Sequence, residues 1–147
     1  MTEKDTVSAE SPFTLTGKTA IVTGGGRGIG RAIVQRLASA GANVLACDLD
    51  RQALQETQSS VHNPECVALV CGDLMQPALP QGIVSAALEA FDSIDIAVNC
   101  ASFSWDSVIQ KTSDEQFLAM LNIHVCERGW LRPHSDVHDK AALPAKS

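Results

Sequence analysis

Apolar residues along this chain follow two rhythms that alternate. The runs "KTAIVT" (18–23), "NVLACDLD" (43–50), "CVALVCGDL" (66–74) and "IDIAVNCA" (94–101) have the near-continuous hydrophobicity of strands buried on both faces, the second ending near Asp48. Between them the spacing becomes helical. "RGIGRAIVQRLASAGA" sets Ile29, Ile33, Val34 and Leu37 on one helical face, and Gly41 stands where a helix C-terminus favours positive φ. Residues 51–60 predict a polar helix, and 81–91 a helix with Ile83, Ala87 and Ala90 turned inward. Ser113 and Gln116 have capping-box spacing, so a further helix is expected there. Strand alternating with helix implies right-handed crossovers and a parallel sheet.

The pattern divides the chain into a polar lead (1–12), an α/β unit (13–125) and a tail (126–147) expected to be irregular. The tail, "CERGWLRPHSDVHDKAALPAKS", has two prolines and no apolar periodicity. A frameshift, an altered splice junction or a truncated gene model near residue 126 would account for the break.

Composition narrows the function. Of 147 residues, 45% are hydrophobic and 19% charged, a globular balance that suits one domain. A net charge of -6 argues against a nucleic-acid or anionic-membrane surface, and no apolar run reaches the ~20 residues of a membrane span. The first twelve residues have no apolar core of a secretory signal, so a cytoplasmic location is expected. There the five cysteines (47, 66, 71, 100 and 126) would stay reduced, and none forms a C-x-x-C pair. Cys126, His134 and His138 could group around a metal. They lack a second Cys at ligand spacing, and Pro133 stands where the helix would start, so no metal site is expected.

The chemistry concentrates in "IVTGGGRGIG" (21–30), a strand running through a glycine turn into a helix. A pyrophosphate needs backbone N–H groups at a helix N-terminus, unobstructed by side chains. Gly24 would allow the tight turn, Gly28 the approach of phosphate and Gly30 the packing of helix on strand. Asp48, twenty positions after Gly28, is placed to accept hydrogen bonds from an adenosine ribose. Its carboxylate suits NAD and repels the 2′-phosphate of NADP. Arg27 pulls the other way, so NAD is expected with NADP as the alternative.

With Thr23 before the first glycine and "FTLTGK" before the strand, residues 13–125 resemble the short-chain dehydrogenases/reductases. The resemblance implies an incomplete doubly wound Rossmann-type α/β sheet of four parallel strands, order 3-2-1-4. It implies that Asp73 and Leu74 hold the adenine ring; the alternative for Asp73 is a loop acid capping a turn. Asn99-Cys100-Ala101-Ser102 stands where the family has Asn-Asn-Ala-Gly. There Asn99 would brace the central strands, and the Ala101 backbone would lie against the cofactor. The implied cofactor-binding set is Gly24, Arg27, Gly28, Ile29, Gly30, Asp48, Asp73, Leu74, Asn99 and Ala101.

Counting from Phe117, the family's catalytic Asn falls on His124, and Asn122 lies two residues early. The family's general acid is the Tyr of a Tyr-x-x-x-Lys helix, and this chain contains no tyrosine. A dinucleotide-binding fragment of an oxidoreductase, without catalysis, is therefore expected. The alternatives are a dehydrogenase using another acid such as His124, a non-catalytic interaction module associating with itself or an intact relative, and a product without function.

Overall fold

The computed structural model describes residues 13–103 and 111–126. The lead 1–12, His134 and His138, and all of the tail beyond Cys126 lie outside the described residues. Four strands, β1 (Thr19–Thr23), β2 (Asn43–Asp48), β3 (Val67–Cys71) and β4 (Ile96–Asn99), form one parallel sheet in the order β3-β2-β1-β4. Helices α1 (Gly28–Ser39), α2 (Arg51–Ser59), α3 (Leu79–Phe91) and α4 (Asp114–Leu121) alternate with them or follow.

Both sheet faces are covered, which explains the unbroken hydrophobicity of β1 and β2. Val22, Val44 and Ala46 point toward Val34 of α1 and Leu54 of α2. Ile21, Leu45 and Cys47 point the opposite way, toward Ile83 and Ala87 of α3 and Ile123. Each fully buried Ile, Leu or Val contributes about 2 kcal/mol relative to exposure. The two faces therefore divide the driving force for folding.

Polar contacts fix the register. Asp95 meets β1 on three sides: it pairs with Lys18 (2.8 Å), accepts the Thr19 N–H (2.9 Å) and donates its own N–H to the Thr19 carbonyl (2.8 Å). This sets Ala20 opposite Ile96. At the other end of the same pair, the Thr23 hydroxyl accepts the N–H groups of Cys100 and Ala101, each at 3.2 Å.

Several expected boundaries are shorter. β3 covers 67–71 rather than 66–74, because Pro64–Cys66 form a 3-10 turn capped by Asn63 and Gly72 turns its N–H to the Asp48 carbonyl. β4 covers 96–99 rather than 94–101, since the Thr23 hydroxyl takes the next two N–H groups out of the ladder. Helix α3 starts earlier, at Leu79, with Pro80 in its first turn where no intrahelical donor is needed. Ala90 faces solvent rather than the core, while Ala86 and Phe91 pack inward. The capping box at Ser113 forms with both of its hydrogen bonds, and α4 then loosens into a π turn over Asn122–Cys126.

Candidate functional site

The carboxyl ends of the strands open into a cleft of about 650 Å3. Its floor is the glycine turn between β1 and α1. Gly24 has φ +68°, and a Cβ there would stand 2.8 Å from the Ala101 backbone. A Cβ on Gly30 would overlap the Gly24 carbonyl oxygen, so the first turn of α1 sits directly on the glycine turn. A Cβ on Gly28 would meet open space. Gly24 and Gly30 thus serve packing of backbone on backbone, while Gly28 has no such neighbour.

The turn is held from behind. The buried Thr57 hydroxyl lies 3.1 Å from the carbonyl oxygens of both Gly25 and Gly26. Arg31 donates from Nε to the Gly26 carbonyl (2.9 Å) and to the Thr57 hydroxyl (3.0 Å), and pairs with Glu56. These contacts draw the turn's carbonyls toward α2. The Gly25 N–H is spent on the Cys47 carbonyl and the Gly26 N–H on Asp48. The first-turn N–H groups of α1 lack partners within the helix, as at any helix start, and the Arg27 side chain does not cap them. They are the donors an anion would meet.

Asp48 closes the β2 side. One carboxylate oxygen accepts the Gly26 N–H at 2.9 Å and the other the Asp50 N–H at 3.1 Å. Each oxygen retains a lone pair for a ligand hydroxyl. Asp50 accepts the Ala53 N–H at the start of α2 and pairs with Arg27 at 2.5 Å. The Ala53 N–H, with Arg27 adding, holds the Asp50 carboxyl below its ordinary range.

Eight of the ten cofactor-binding positions line the cleft: Gly24, Arg27, Ile29, Gly30, Asp48, Asp73, Leu74 and Ala101. Gly28 and Asn99 do not. Ile29 corrects the helical-face expectation, since it is 75% exposed. It lies in the first turn of α1, past the carboxyl end of β1, and faces the cleft. Asp73 caps its own loop by accepting the Met75 N–H at 2.9 Å, as the turn-capping alternative expected, while also facing the cleft. The bracing assigned to Asn99 is carried among the described residues by the Thr23 hydroxyl. His124 stays off the cleft: its Nε2 lies 3.0 Å from the Phe103 carbonyl, which can only accept, so that nitrogen carries the hydrogen.

Sequence reasoning missed the Thr57–Arg31 clamp and several apolar walls, among them Leu49, Met75 and Phe103. A threonine and an arginine within otherwise ordinary helices carried no local signal. Cys47 on the floor was also passed over. Burial pushes its thiol up to about 12, with Asp48 and Cys71 adding. The folded protein therefore keeps neutral a thiol that the unfolded chain ionises near 9.0. Stability from this group is complete below pH 9 and drains away as the pH rises toward 12. Denaturant titrations at pH 8 and pH 10 should show a loss of roughly 1.3 kcal/mol that Cys47→Ala lacks. An equal loss in both proteins would contradict it.

Comparison with known proteins agrees with this architecture. The family described as short chain dehydrogenase matches residues 18–127. A 2,3-dihydroxy-2,3-dihydro-p-cumate dehydrogenase of Pseudomonas putida is 42% identical over 90 residues, 59% of this chain and 34% of that protein. A short-chain dehydrogenase/reductase of Brucella melitensis, of the glucose/ribitol dehydrogenase type, superposes with a TM-score of 0.76 at 29% identity, over 81% of this chain and 50% of that one. A Burkholderia phymatum short-chain dehydrogenase/reductase in complex with NAD gives a TM-score of 0.73 at 28% identity, covering 80% and 42%. This chain belongs to the short-chain dehydrogenase/reductase family. It spans between a third and a half of the length of these relatives.

Proposed function

We propose that this chain binds a nicotinamide adenine dinucleotide, NAD in preference to NADP, and that it does so without completing an oxidoreductase reaction on its own. The observation that carries the reading is the fit of donors and space: a glycine turn whose carbonyls are pulled back by Thr57 and Arg31, open N–H groups at the start of α1, and an unobstructed Gly28. The pyrophosphate would lie over Gly28 and Ile29, the adenosine ribose against Asp48, and the adenine between Asp73 and Leu74. The relative from Burkholderia phymatum, whose structure holds NAD, supports the same use.

Bound there, the dinucleotide would supply a hydride acceptor or donor. The residues of this chain bind and orient it. A tyrosine to exchange a proton with the substrate oxygen is not among the 147 residues, and His124 has committed Nε2 to the Phe103 carbonyl. Titration of NADH into the full chain, followed by its fluorescence, should give saturable binding with NADPH at least about tenfold weaker. That discrimination follows from the like charges of Asp48 and a 2′-phosphate a few ångströms apart. Equal affinity for the two, or alcohol-dependent NAD reduction above the rate without protein, would refute the corresponding half of the proposal.

A further inference from the structure

Among the described residues, Arg27 is the cation on the cleft rim, and it is already engaged. Its Nη2 lies 2.5 Å from Asp50 Oδ2, although the side chain is otherwise exposed. Asp50 does two more things. Its other oxygen accepts the Ala53 N–H at 3.0 Å, and its own N–H donates to Asp48 at 3.1 Å. One residue thus ties together the glycine turn, the start of α2 and the acid at the ribose end.

An incoming 2′-phosphate would need Arg27 as its counter-charge. With Asp50 in place, that charge is balanced, and a second carboxylate stands near Asp48. We infer that Asp50 is a specificity-positioning residue, which excludes the phosphorylated dinucleotide by holding Arg27 in an ion pair. The inference rests on the dinucleotide-binding reading above and adds a residue to it. Asp48 sets the preference directly, while Asp50 acts through Arg27.

The size of the effect is bounded. Exposed ion pairs change an equilibrium constant by no more than about fivefold. Asp50→Asn removes the charge but keeps a side chain that caps a helix nearly as well, so α2 should persist. NADH and NADPH dissociation constants would be measured by fluorescence on the full chain, on D50N, on R27A and on the double variant. The NADPH-to-NADH ratio of dissociation constants should fall about two- to fivefold in D50N, through tighter NADPH. Adding R27A should cancel that gain, whereas R27A alone should leave the ratio unchanged within about twofold. Asp50→Ser, which also caps, serves if D50N does not fold.

An unchanged ratio in D50N with NADH still bound would overturn the inference and leave the dinucleotide reading standing. So would a gain that survives removal of Arg27. Failure of the unaltered chain to bind either dinucleotide would overturn both.

Discussion

Gly30→Ala is expected to cost the fold about 3 kcal/mol and to abolish dinucleotide binding. The new methyl group would overlap the Gly24 carbonyl oxygen, a backbone atom with nowhere to go. Gly24 cannot retreat, because it already lies against the Ala101 backbone. Helix α1 would have to lift from the turn, taking with it the open N–H groups and the clamp from Arg31. Glycine itself is not the reason, and a second helical glycine shows this. A Cβ on Gly82, in α3, meets nothing within 4 Å. Gly82→Ala should therefore stabilise the protein by about 0.5–1 kcal/mol through helix propensity alone. Urea midpoints of the two variants decide the matter: shifts of equal sign would contradict the close contact at Gly30.

Asp48→Ala is the second large effect. It removes the acceptor for the Gly26 N–H and for the Asp50 N–H together. Hydrogen bonds to a charged group are worth about 1.5–3 kcal/mol each, but water can reach this half-buried side chain, so about 2 kcal/mol in total is expected. NADH binding should weaken by more than about tenfold, because the ribose loses its acceptor and the turn loses its brace. Asp48→Asn retains one acceptor and should fall between. Unaltered NADH affinity in Asp48→Ala, with the urea midpoint lowered, would mean that Asp48 is a structural brace only.

Much of this was legible in the sequence, for identifiable reasons. β1 and β2 announce themselves because a strand covered on both faces has no polar alternation to blur it. Gly24, Gly28, Gly30 and Asp48 are legible because the tight passage from strand through turn to helix fixes their spacing along one unit. The Ser113–Gln116 capping box is local and formed as expected.

What escaped depends on contacts between segments distant in sequence. Ile29 has the spacing of a core residue, yet its position one turn beyond the sheet leaves it exposed. Ala90 fails likewise at the far end of α3. Thr57 is an unremarkable helix residue until the fold sets it behind the glycine turn, 31 residues from Gly26, and Arg31 until it meets Thr57 and Glu56, 26 and 25 residues away. Thr23 is legible in the sequence as the residue before the first glycine of the turn, but its contact is not. Only the pairing of β1 with β4 makes its hydroxyl the tie that ends β4.

The central claim is that the cleft above the glycine turn is where the dinucleotide binds. An amide-resolved NMR titration of the full chain with NAD tests it most directly. Binding in the cleft should give saturable shifts at Gly24–Gly30, Asp48, Asp73 and Ala101, with Gln35, Ser60 and His62, which line a hollow between the far ends of α1 and α2, left unmoved. Shifts confined to that second hollow, or none in a folded chain at millimolar NAD, would contradict it.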